Sequence, residues 1–99
     1  TNMGIIYELR FPNGKYWLGQ SICNLNNIKT YHKNEMKENP NRSLYKQLTT
    51  DGYTIDDAVF TIREILNTCD TTKLRTRLYE LLDKEQNNPS MLAHRRTCL

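Results

Sequence analysis

Two hairpin phenols, the histidine of a helical stretch and a scatter of cations lead the side chains in this 99-residue sequence with chemistry to offer. Tyr7 and Tyr16 can serve as cross-strand packing groups or as acid–base phenols. His32 stands alone in a helical stretch, where an imidazole is partly buried or faces solvent unless a neighbour recruits it. Trp17 fills a core or offers a base a stacking platform. Arg42 and Lys46, four residues apart, share one face of a helix and meet either phosphates or water. Arg95-Arg96 add two guanidinium groups near the end. Glu80 and Lys84 have the spacing of a surface ion pair. Cys23, Cys69 and Cys98 are odd in number, far apart and without a C-x-x-C pair, which argues against both a disulfide framework and a Cys-rich zinc site.

Composition narrows the class. With 37% apolar and 25% charged residues and a mean hydropathy of -0.75, the chain reads as one small globular domain over 3–94 followed by a basic tail, 95–99. It contains no apolar run of the roughly 20 residues that span a bilayer. It opens with nothing like a secretory leader, so an intracellular setting, cytoplasm or nucleus, is expected. The net charge of +3 is unevenly placed: residues 1–50 hold seven Lys/Arg against three Asp/Glu, and residues 51–99 hold seven against eight. A phosphate-facing surface should therefore come mainly from the first half.

The elements that must position these groups follow from periodicity. Ile5, Tyr7, Leu9 and Phe11 alternate with Ile6, Glu8 and Arg10, and Pro12-Asn13-Gly14 separates them from Lys15 to Gly19. The pattern predicts a β-hairpin with a type I′ turn at Asn-Gly. Leu25, Ile28, His32 and Met36 change to helical period behind Asn24 as N-cap, predicting a helix over 24–38 that Asn39-Pro40-Asn41 ends. Ser43 is a candidate cap for a short helix over 43–49. Residues 54–67 fit a helical period, with a capping box from Thr54 and Asp57, and are also rich in strand-forming residues. Leu74, Leu78, Leu81 and Leu82 predict an amphipathic helix over 71–86, capped by Asp70 or Thr71. The segment from Ser90 reads equally as a last strand, a docking segment or a fray.

Gly4-Ile5-Ile6-Tyr7, followed by Trp17-Leu18-Gly19-Gln20-Ser21, resembles the GIY-YIG nuclease superfamily. The resemblance extends through the helix bearing His32, the short helix and glycine turn ending at Gly52, and the Leu74–Leu82 helix. It implies an α+β fold, a small three-stranded antiparallel sheet flanked by helices, and on that basis 58–66 is expected to be a strand. The expected core is Ile5, Tyr7, Leu9, Leu18, Leu25, Ile28, Leu44, Leu48, Phe60, Ile62, Leu74, Leu78, Leu81 and Leu82.

Phosphodiester hydrolysis needs an activated water or hydroxyl, a cation on the scissile phosphate and usually Mg²⁺ held by a carboxylate. By the resemblance, Tyr7 matches the family's first tyrosine and activates the nucleophile, and His32 matches its histidine. Trp17 replaces the second tyrosine, and its indole cannot accept a proton; the adjacent Tyr16 substitutes only if the strand slips or bulges. The family's arginine falls at Asn27 or Ile28, leaving Lys29 as the nearest cation. The metal-binding glutamate falls at Leu78; Glu80 is on the opposite helix face, and Glu85 becomes the ligand only if the alignment shifts by a heptad. The expectation is a nuclease-like domain with an eroded phosphodiesterase site. It would bind nucleic acid, DNA first and RNA second, through Trp17, Arg42, Lys46, Arg95 and Arg96. The alternatives are an active Mg²⁺-dependent endonuclease using Tyr7, Tyr16, Lys29, His32 and Glu85, and a protein-interaction module on the same scaffold.

Overall fold

The alternating segment and its partner past Gly14 pair as β1 (Gly4–Arg10) and β2 (Tyr16–Ser21) in the computed structural model, which describes residues 3–92. Then follow α1 (Leu25–Glu38), α2 (Ser43–Asp51), a single 3-10 turn at Ile55–Asp57, β3 (Val59–Leu66) and α3 (Thr71–Glu85). The sheet order is β2-β1-β3, antiparallel throughout, so the fold is α+β with a three-stranded antiparallel sheet flanked by helices. The ambiguous stretch resolves into a capped turn and a strand. Asp57 Oδ2 accepts from Thr54 N–H at 2.9 Å, yet the box closes only one turn before β3 begins.

The hairpin turn differs from the expected type I′. Only Gly14 has a positive φ, 84°. Gly14 N–H donates to the Phe11 carbonyl and Phe11 N–H to the Lys15 carbonyl, each at 2.9 Å. Pro12, with its fixed φ, suits the second position of an ordinary turn, and Gly14 then supplies the left-handed residue that closes a three-residue loop. Asn24 caps α1 through Asn27 N–H, and Asp70 caps α3 through Thr72 N–H, both at 2.9 Å. Arg42, not Ser43, is the N-cap of α2, and it contributes no side-chain capping bond.

β1 is covered on both faces. On one, Ile5, Tyr7, Leu9 and Phe11 pack with Ile28 of α1 and Leu44, Tyr45 and Leu48 of α2. On the other, Ile6, Tyr16 and Leu18 pack with Leu78, Leu81 and Leu82 of α3. α3 covers the face that carries Ile6 together with Glu8 and Arg10, which is why Ile6 is fully buried although the alternation grouped it with those charged residues. Most of the expected core is buried, but Leu25 and Phe60 are only partly so, and Ile62 is 46% exposed. Ile62 lies in β3, an edge strand whose outer side no helix fully covers.

Register in β3 shifts opposite Ile6 and Tyr7: Ile62 pairs with Tyr7 and Glu64 with Ile6, leaving Arg63 as the extra residue of a β-bulge. The bulge places two consecutive side chains, Arg63 and Glu64, on the α3 side, where both find partners on α3. Past α3, Ser90–Leu92 returns along the free side of β2. Tyr16 N–H donates to the Ser90 carbonyl at 2.9 Å and Leu92 N–H to the Tyr16 carbonyl at 2.7 Å, forming a parallel bridge between Tyr16 and Met91.

Candidate functional site

The sheet separates the proposed site residues into two clusters. Tyr7 and Trp17 share the face covered by α1 and α2, because Trp17 pairs with Leu9 and the two lie on one side of the pleat. His32 reaches them from the middle of α1. Its Nε2 is 2.8 Å from the Tyr7 hydroxyl and its Nδ1 3.0 Å from the Tyr45 hydroxyl, all three side chains being buried. The Trp17 ring stands edge-on to the imidazole at 5.5 Å and tilted against Tyr7 at 6.1 Å. Gly19, directly across from Tyr7, is the condition for this arrangement: a Cβ there would lie 2.5 Å from the Tyr7 hydroxyl and 2.7 Å from the Trp17 ring.

Burial pushes the His32 pKa down to about 4, so the ring is neutral at physiological pH. A neutral imidazole has one N–H and one lone pair. One tyrosine therefore donates its hydroxyl proton to the ring while the other accepts from it, and either tautomer satisfies both contacts. Burial first, and the neighbouring Tyr45 and Tyr31 second, raise the Tyr7 phenol well above its usual value. Tyr7 thus remains protonated and offers a hydrogen bond, not a phenolate.

Cations rim this face unevenly. Lys29 of α1 is half-buried, and Lys46 of α2 is exposed. Arg42 stands 2.6 Å from Glu35 Oε1, off the axis of a hydrogen bond, so that buried oxygen is compensated by charge alone. Lys33 pairs with Asp56 at 3.2 Å, and Tyr31 projects 59% exposed beside His32. Arg95 and Arg96 lie outside the described residues.

Tyr16 and Glu85 belong to the other cluster. Tyr16 pairs with Arg10, one residue out of phase with Trp17, and points toward α3. No slip of β2 brings it to Tyr7's side, so the structure does not join Tyr7, Tyr16 and Glu85 into one site. The Tyr16 hydroxyl donates to Glu85 Oε1 at 2.6 Å. Arg63 donates to both Glu85 oxygens, at 2.9 and 3.1 Å, and through Nε to Glu8 Oε1 at 3.0 Å. Arg10 holds Glu8 in a second fork at 2.9 and 3.1 Å and stacks over the Tyr16 ring at 4.8 Å. Hydrogen bonds from Arg63 lower the Glu85 pKa, outweighing burial, and those from Arg10 and Arg63 do the same for Glu8. Burial, then the bond to Glu85, raises Tyr16 to about 12.

These residues do not fit a magnesium ion. A cation on Glu85 would have to displace the Arg63 guanidinium that already occupies both of its oxygens. Among the described residues, no group of three or more His, Cys, Asp or Glu is placed to hold a metal. Leu78 is a buried core residue between α3 and the sheet. Nor does Glu80 pair with Lys84 as its spacing suggested: its near cation is Arg77, at 3.8 Å, which is itself forked onto Glu64 at 2.7 and 2.8 Å.

No family model, curated protein or solved structure matches the chain. Four residues of the two clusters, Tyr45, Tyr31, Arg63 and Glu8, carry no functional signal in the motifs above. Tyr45 sits beside Leu44 and three residues from Leu48, a spacing that reads as ordinary apolar packing, and Tyr31 falls outside the helical period of Leu25, Ile28, His32 and Met36. Arg63 and Glu8 were the detectable pair, since a charged residue inside an otherwise apolar strand needs a buried counter-charge.

Proposed function

We propose that the chain is a nuclease-like nucleic-acid-binding domain whose phosphodiesterase site is eroded, with DNA as its first partner. The observation that carries this reading is the position of Glu85. The carboxylate that would serve metal chemistry lies across the sheet from Tyr7 and is neutralised by Arg63, while Leu78 fills the alternative place with hydrocarbon. The Tyr7 side keeps features suited to binding: the Trp17 indole, the exposed Tyr31 ring, and Lys29 and Lys46 on α1 and α2. Rings of this kind stack on bases, and the cations neutralise phosphate. A neutral His32 between two protonated phenols positions side chains without supplying a base strong enough to deprotonate water.

The test combines cleavage with binding. Supercoiled plasmid incubated with Mg²⁺ or Mn²⁺ is expected to stay intact, while fluorescent DNA binds and releases progressively as salt rises. An RNA of the same length is the comparator for partner choice. Metal-dependent nicking that disappears in both Tyr7→Phe and Glu85→Ala overturns the eroded site. Absence of binding to either nucleic acid at low salt overturns the binding role.

A further inference from the structure

We propose that two copies of this chain pair through the outer edge of β3, antiparallel, with Ile62 opposite the partner's Ile65 and Arg63 opposite the partner's Glu64.

The edge is open. Among the described residues β3 is bonded to β1 alone, and its sequence, Val59 to Leu66, contains neither the lysine nor the proline that commonly discourages edge pairing. Ile62 and Ile65 are 46 and 59% exposed on one face of a strand eight residues long, and Val59, paired with Arg10, is 63% exposed on the other. Ile62 and Ile65 also wall a groove of about 480 Å³ with Met3, Ile5, Ile22 and Leu25.

The bulge identifies the occupant. In a regular strand, residues three apart point to opposite faces. Here the extra residue rephases β3, so Ile62 and Ile65 face the same groove while Arg63 and Glu64 both face α3. Thr61, paired with Glu8, and Leu66, packed against the α3 cluster, also lie on the α3 side. The order of faces along 61–66 is thus the same in both directions about the point between Arg63 and Glu64. A second copy running antiparallel across that point sets every side chain against one on the same face. A slip of one residue breaks the match, placing Ile62 against the partner's Glu64 or the partner's Leu66, both of which face α3.

Charge agrees with this register. Arg63 uses three of its five N–H donors within its own chain, and each Glu64 oxygen accepts one bond from Arg77. Both retain capacity for the partner's opposite charge, and the symmetry forms that pair twice. A bulge usually turns an edge away from pairing, but here both bulges sit at the two-fold axis, with regular strand on either side.

Two measurements on the full chain decide the matter. Sedimentation across a dilution series is expected to shift from the 11.7 kDa of a single chain toward double that mass. Ile65→Lys, at an exposed position, is expected to weaken association more than about tenfold while leaving the melting curve of the dilute protein unchanged. In a background with Cys23→Ser, Cys69→Ser and Cys98→Ser, a mixture of Ile62→Cys and Ile65→Cys chains is expected to form disulfide dimers that neither forms alone. A monomer at every concentration overturns the proposal. So does a dimer indifferent to Ile65→Lys, or one cross-linked equally by Ile62→Cys alone.

Discussion

Acidification tests the buried Tyr7–His32–Tyr45 chain most directly. Burial lowers the His32 pKa from an ordinary 6.5 to about 4. Between those values the unfolded chain binds a proton at His32 that the folded chain refuses. Stability from this group is therefore complete above about pH 6.5, declines as pH falls, and stops changing below about pH 4. The whole shift corresponds to roughly 3 kcal/mol. Going from about pH 7 to about pH 5 collects most of it, about 2 kcal/mol, in a window still above the lowered pKa values of Glu8, Glu64 and Glu85. Urea unfolding followed by circular dichroism measures the loss, in a His94→Gln background that removes the second histidine of the sequence. His32→Phe is expected to lower stability at neutral pH and to flatten the profile. Since that variant also strands two hydroxyls, the ring protons of unmutated His32 are followed by NMR in parallel, with an expected midpoint near 4. A midpoint above 6, or a pH profile in His32→Phe as steep as the parent's, refutes the reasoning.

Arg63→Met removes the shared cation of Glu8 and Glu85. With Arg63 only partly exposed, the loss should fall between surface and fully buried pairs, about 2–3 kcal/mol. That is a drop of roughly 10–20 °C in Tm; a change under about 0.5 kcal/mol contradicts the network. Gly19→Ala forces a methyl group into Tyr7 and Trp17, costing about 1–3 kcal/mol in denaturant titrations. The cost should shrink in a Tyr7→Leu background, and strict additivity would mean that Tyr7 is not the obstacle. Tyr45→Phe leaves His32 Nδ1 without its partner, with an expected loss of about 1–2 kcal/mol at neutral pH and none if water replaces the hydroxyl.

The legible parts of the molecule were those fixed by local chemistry. Asn24 and Asp70 announced the starts of α1 and α3, and the leucine stripe announced the buried face of α3. The hairpin was readable from alternation and Gly14, although Pro12 selected a wider turn than Asn-Gly suggested. What escaped depended on contacts between distant segments. Ile6 and Tyr16 are buried because α3 covers the second face of the sheet, a fact that β1 and β2 do not carry in their own pattern. Ile62 was assigned to the core because period-two counting cannot anticipate a bulge or an uncovered edge. Within the candidate site, Tyr7 and His32 do meet, whereas Tyr16 and Glu85 meet each other on the far side.

The return of Ser90–Leu92 along β2 makes the two margins of the sheet unequal. Ser90 and Leu92 already bond the outward N–H and C=O of Tyr16 at the start of β2, so on the proposed pairing β3 is the margin that, among the described residues, is open along its whole length. Truncation before Ser90 would unseal the second margin. With both margins open, the same short domain would have a route to open-ended fibres, so the bonds of Ser90 and Leu92 to Tyr16 favour a finite assembly over an unlimited one.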